Sequence, residues 1–194
     1  KNIPDLTYEN FLNFHRTYYH PSNSYIYLYG NMDMEEKLAF LDEHYLSHFD
    51  YLDVDSVIQE QKEFGACRDV TLEYPVAENE GEEDNTYLSY NMVVGNAADS
   101  QMAMAFEVLD YALLSAPGAP LKQALLDVKA GKDVYGSYDD GILQPYFTVI
   151  AKGSNPDRKE EFVSVIRQVL GDIVKDGIDR KAVEAGINYF EFRY

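Results

Sequence analysis

Basic side chains are scarce in this chain of 194 residues: 16 Lys and Arg stand against 34 Asp and Glu, a formal net charge of −18. That balance argues against nucleic acid as a partner, because affinity for a phosphate backbone comes mainly from cationic side chains that release counterions. It argues equally against an anionic membrane surface. Basic peptides and other proteins stay compatible with it, and a large charge of one sign also keeps a protein soluble. Cysteine is scarcer still. Cys67 stands alone, which excludes an internal disulfide framework and suits a reducing compartment, so a cytoplasmic location is expected. Long apolar runs are missing too. Nothing approaches the roughly 20 residues of a membrane-spanning helix, and no signal peptide is visible. The chain also has no G-x-S-x-G, no P-loop and no paired Cys motif, so the common signatures of nucleophilic and phosphate chemistry are absent.

What is present reads as a folded body. Hydrophobic residues make up 46% of the chain, with 17 tyrosines, and the length suits one ordinary domain, or one domain plus part of another. It begins Lys1-Asn2-Ile3-Pro4 without an initiator Met and stops inside a helical pattern at Arg193-Tyr194, so both ends read as cut.

Local patterns predict the elements. Thr7 caps a helix over 7–18, which the turn His20-Pro21-Ser22-Asn23 ends because Pro removes a donor and disfavours helix before it. Residues 24–30 read as a β-branched and aromatic strand, and 34–48 as a second helix. The pattern then weakens and charge rises, so 51–67 reads as a linker. Val70, Leu72, Tyr74 and Val76 alternate with polar residues, as do Leu88, Tyr90, Met92 and Val94, giving two half-buried strands around an acidic loop over 78–84. Helices follow at 98–114 and from Pro120, strands at 134–138 and 146–151, and the clearest helix spans 156–176, with Phe162, Ile166 and Leu170 in its apolar stripe. Asp179 caps a last helix. Four strands with interrupting helices predict an α+β fold, an antiparallel sheet with helices packed on one face.

Candidate chemistry is thin. His44 and His48 stand at i and i+4 of a predicted helix, a spacing able to chelate zinc. The acid Glu43 precedes both rather than lying between them, and no third ligand adjoins, so a surface or capping role is expected. His15 and His20 flank Tyr18-Tyr19 and read as packing and turn residues. Ser115, Tyr135 and Tyr138 have no neighbouring base in sequence, and Gly118-Ala119-Pro120 reads as a helix-to-helix turn. The acidic loop lacks the alternating ligands of a calcium site. No catalytic and no metal residue is assigned, and the substrate-binding residues are not identifiable.

One stretch is more specific. Phe14-His15-Arg16-Thr17-Tyr18-Tyr19-His20-Pro21-Ser22-Asn23-Ser24, running into Tyr25–Asn31, resembles the segment that follows the metal ligands in inverzincin peptidases of the pitrilysin/insulinase type, presequence-protease branch. Leu114–Leu125, Val134–Tyr138 and Tyr146-Phe147 resemble the second, non-zinc domain of the same branch. Asp127-Val128-Lys129-Ala130-Gly131 departs from the apolar, Gly-containing turn usual there. The family's zinc ligands lie on an H-x-x-E-H helix and a more distant Glu; no H-x-x-E-H occurs here, and Arg193-Tyr194 does not correspond to the family's substrate-orienting pair. The resemblance implies a LuxS/MPP-like α+β fold. It implies that residues 1–50 are the tail of a zinc-bearing first domain and 68–194 most of a second, non-zinc domain. It further implies zinc in the parent but none in this part, with unfolded or short peptides and the remaining domains of the same chain as partners. The implied function is a non-catalytic portion of a zinc oligopeptide endopeptidase, part of its substrate chamber. The alternative is part of a catalytically inactive relative acting as a binding or assembly subunit.

Overall fold

A computed structural model describes residues 3–79 and 81–193, which fall into two compact units, Lys1–Gln59 and Glu60–Tyr194.

In the first unit, α1 spans Tyr8–Tyr18. The Thr7 hydroxyl accepts the Asn10 N–H at 3.1 Å, as an N-cap should. The turn after it is held by side chains: His20 Nδ1 accepts the Ser22 N–H at 3.2 Å, and Asn23 Nδ2 donates to the Tyr18 carbonyl at 2.9 Å. Residues 24–30, expected as a strand, belong to no ladder. A strand needs a neighbouring backbone to satisfy its N–H and C=O groups, and none of the described residues of this unit supplies one. Tyr27 and Tyr29 remain 84% exposed. The helix expected over 34–48 is shorter: α2 is Met34–His44, capped by Asp33, and breaks at Tyr45 (φ −138, ψ −63) before a single 3₁₀ turn, Leu46–His48. None of the described residues of this unit is buried.

The second unit is built on a three-stranded antiparallel sheet of β1 (Thr86–Val93), β2 (Asp133–Asp139) and β3 (Tyr146–Ser154), in the order β1-β3-β2. Leu88 stands opposite Ala151, and Val134 pairs with the same residue from the other side. The strand expected over 70–76 is not formed and pairs with nothing among the described residues, which leaves three strands rather than four. The Asp139 carboxylate closes the β2–β3 turn, accepting the Gly141 N–H and the Tyr146 hydroxyl, each at 3.0 Å.

Strand alternation puts Leu88, Val134, Phe147, Val149 and Ala151 on one face, and these form the core with Leu121 and Leu125 of α4 (Pro120–Asp127) and Phe162 and Ile166 of α5 (Lys159–Asp176). The helix over 98–114 is α3 (Ser100–Asp110), continued by a π-helical turn, Tyr111–Ser115, that buries Ala112, Leu113 and Leu114. Leu114 lies over Gly136, where a Cβ would collide with it and with the Thr148 carbonyl. Glycine in mid-strand therefore marks close helix–sheet approach. The last helix, α6, is Arg180–Arg193, with Asp179 accepting the Lys181 N–H at 2.9 Å.

The unusual turn after α4 takes a defined path. Ala130 N–H bonds the Leu125 carbonyl and Lys129 N–H the Leu126 carbonyl, both at 2.9 Å, with Lys129 at φ +54. This is a Schellman end with lysine where glycine is usual. The Arg158 guanidinium covers it by donating to the Val128 and Lys129 carbonyls. Of the acidic loop, Glu80 lies outside the described residues, and Asp84 closes the turn at φ +58.

Candidate functional site

Helices cover one face of the sheet, and the opposite face is where side chains of β1, β2 and β3 stand without a helical layer. By alternation it carries the exposed Ser89, Asn91, Tyr135 and Ser137, with Ile150 part-buried and Thr148 buried between them. Thr148 Oγ1 donates to Asn91 Oδ1 at 2.6 Å, and Asn91 Nδ2 donates to Ser89 Oγ at 3.1 Å, a polar rung across two strands. Tyr135 is 40% exposed beside it. Hydroxyls, an amide and an aromatic ring can bind and orient an extended chain.

At one end of the sheet, where the β1–β3 register shifts between Thr86 and Tyr87, lies a shallow cleft of about 350 Å³ lined by Asp84, Tyr87, Lys132, Asp133, Lys152 and Gly153. Lys132 Nζ sits 3.2 Å from Asp84 Oδ2, and Asn155 Nδ2 donates to Asp84 at 2.8 Å. The Asn155 hydrogen bond, then Lys132, holds the Asp84 carboxyl below its ordinary range. Lysines and carboxylates here neutralise one another at the surface, which makes a weak binding surface and no catalytic pair.

One titratable group stands apart. Asp110 ends α3, its Oδ1 is buried without a hydrogen-bond partner, and Oδ2 accepts the Ser115 hydroxyl at 3.3 Å across the π turn. Burial pushes its pKa up, against a smaller opposing effect of Ser115. Sequence reasoning left Ser115 without a base, because a contact at i and i+5 exists only where the helix widens. A long Ser–Asp contact with no imidazole nevertheless lacks the base that activates a hydroxyl.

The histidines are engaged elsewhere. His15 stacks on Tyr19 with centroids 4.6 Å apart, His20 meets the Phe49 edge at 5.3 Å, and His44 packs on Phe40 at 4.6 Å. The helix break at Tyr45 removes the i, i+4 helical geometry that His44 and His48 need to chelate. Among the described residues no three His, Cys, Asp or Glu side chains come together as ligands. These donors therefore do not fit a zinc ion.

An antiparallel sheet with one helical layer defines an α+β domain. The chain belongs to the family described as the Peptidase M16 inactive domain, whose model matches residues 5–190. It is 46% identical over 190 residues to Protein HypA of Clostridium perfringens, covering 98% of this chain and 20% of that protein. It is 34% identical over 196 residues to presequence protease 1, chloroplastic/mitochondrial, of Arabidopsis thaliana, covering 99% of this chain and 18% of that one. The chain thus spans about a fifth of the length of these relatives. A solved structure described as an M16-like peptidase from Alicyclobacillus acidocaldarius superposes over 99% of this chain and 44% of its own, with a TM-score of 0.55 and 18% identity, and shares the fold.

Proposed function

We propose that this chain is a non-catalytic portion of a zinc-dependent oligopeptide endopeptidase, in which it forms part of the substrate chamber and supports the first domain. The observation that carries the reading is membership of the M16 inactive-domain family across residues 5–190. The helix-free sheet face supports it, since hydroxyls, an amide and an aromatic ring suit an unfolded peptide better than a shaped small molecule. In this reading residues 1–50 are the tail of the zinc-bearing first domain, 51–67 the linker and 68–194 the second domain. Support for that division comes from the break between compact units at Gln59 and Glu60 and from the absence of any buried described residue before it. A tail that leaves Tyr25, Tyr27 and Tyr29 in water lacks the layer they would pack on. Peptides and the other domains of the same chain are the partners. The cytoplasm is the location in this reading, which the lone exposed Cys67 suits; no helix among the described residues is long and apolar enough to cross a membrane.

The test has two arms. The isolated chain, stripped with chelator and reloaded, is expected to hold no stoichiometric zinc and to cleave no peptide. One zinc per chain, lost on replacing His44 and His48 together, would refute this. In the parent protein, a peptide carrying a photoreactive group should cross-link to Tyr135 or Ser137 of the bare face. Cross-links confined to other parts of the parent would remove the chamber role.

A further inference from the structure

β1 pairs with β3 along one edge only, so its other edge presents backbone groups to no ladder among the described residues. Such an edge invites pairing with whatever strand reaches it. Residues 69–76 precede it by a short loop and match β1 in length, eight residues against Thr86–Val93. Side chains near both ends of this segment are tied to the Thr86 end of the sheet. Asp69 forms an ion pair with Lys159 at the start of α5, and Tyr74 places its ring 5.9 Å from that of Tyr87 and its hydroxyl on the Asn85 carbonyl. Between the ties, Val70 is 69% and Leu72 73% exposed, although their alternation is that of a half-buried strand.

We propose that residues 69–76 are a strap that closes onto the free edge of β1 as a fourth antiparallel strand, and that the arrangement described above is its open state. The apolar period selects the register. With Leu72 opposite Tyr90, Val70 faces Met92 and Tyr74 faces Leu88, on the side where Leu88 joins the core and Tyr90 and Met92 pack against it. Thr71 and Glu73 then fall beside Asn91 and Ser89 on the polar face. A slip of one residue sets Thr71 and Glu73 against Tyr90 and Leu88 instead, and exposes every apolar residue of the strap. The present Tyr74–Tyr87 contact belongs to the slipped side, and Asp69 falls opposite Val93 in the closed register, so closure rotates Tyr74 onto the core face, releases the Asp69–Lys159 ion pair and exchanges both contacts for a ladder. Pro75, which cannot donate, is tolerated on an outermost strand. Closure covers β1 and leaves β2 as the free edge of this sheet for an extended peptide. The inference goes beyond the proposed function and holds whether or not the parent cleaves peptides.

Two measurements on the full chain test it. In a Cys67→Ser background, Glu73→Cys with Ser89→Cys places two thiols directly opposite in the closed register, and mild oxidation should join them. Glu73→Cys with Tyr87→Cys sits on a diagonal too long for a disulfide and should stay reduced. Without any substitution, outward amides of β1 should exchange hydrogen roughly tenfold more slowly than those on the outer edge of β2, the factor expected for a strap closed about nine-tenths of the time. Preferential trapping of the 73–87 pair, or equal exchange at the two edges, would overturn the proposal.

Discussion

Asp110 is the residue whose environment most contradicts its chemistry. A carboxylate with one oxygen buried and unpartnered is desolvated without compensation, so folding favours its protonated form. A pKa raised on folding means the folded state holds the proton more tightly. The contribution of Asp110 is then complete below the unfolded value of 3.8 and is lost as pH rises through the folded value, above which the charge is a burden. Asp110→Asn, which keeps the shape and removes the charge, should therefore stabilise the domain at neutral pH. The gain should be up to about 1 kcal/mol, discounted because the residue is only part buried. Denaturant melts across pH would show the gain shrinking as pH falls toward 3.8; a gain independent of pH would place its origin elsewhere. Ile166 makes the opposite case. It is 0% exposed within the core, so Ile166→Ala should cost about 2–5 kcal/mol through lost burial and the cavity left behind. Leu170 shares the predicted stripe yet is only half-buried, and the same truncation there should cost less in the same melts.

At the scale of elements, the end of α4 offers a test of backbone chemistry. Lys129 sits at φ +54 in a Schellman turn, where a Cβ costs about 1–2 kcal/mol and glycine costs nothing. Lys129→Gly recovers that strain but gives the unfolded chain about 0.4–1 kcal/mol of extra entropy. A net gain of about 0.5–1 kcal/mol in thermal or chemical melts is expected, and destabilisation would show that the Lys129 side chain contributes to the folded state. The position also shows what a sequence hides. Asp127–Gly131 read as a departure from a glycine-bearing turn, and the backbone makes that turn anyway with Arg158 from another element closing over it. Elements whose signal is local were legible: the Thr7 and Asp179 caps, the stripe of α5 with Gly177 after it, the alternation of β1, and the runs that became β2 and β3. Elements whose existence depends on a partner were not. The runs 24–30 and 70–76 have strand composition and lack a paired neighbour among the described residues, and periodicity reports which face is apolar without reporting what covers it. The π turn escaped for a related reason, because it widens a helix whose apolar period continues into Leu113 and Leu114. Of the candidate site, the absence of a nucleophile motif could be read directly. The polar rung from Ser89 through Asn91 to Thr148 could not, because it joins residues 57 positions apart.

For the molecule as a whole, the charge of −18 is the property most able to reach function. Two roles predict different behaviour. Spread evenly, the charge keeps the protein soluble and leaves substrate capture untouched. Gathered along the wall of a chamber that takes in basic peptides, it raises their local concentration and speeds encounter. Screening separates the two, because a field that steers a peptide is cut off beyond a Debye length of about 8 Å at physiological salt and reaches about 30 Å at 0.01 M. In the parent protein, kcat/KM for a cationic peptide should therefore fall steeply between low and physiological salt, while a neutral peptide of equal length changes little. The fall should appear in KM at low substrate concentration rather than in kcat, since steering acts on encounter and leaves the bond-breaking step alone. Neutralising the acids of this chain to Asn and Gln in small groups would then locate the field, with the salt slope dropping for groups that face the peptide and holding for those that face bulk water. Equal slopes for cationic and neutral peptides would assign the charge to solubility, because no salt-sensitive encounter would remain for it to explain.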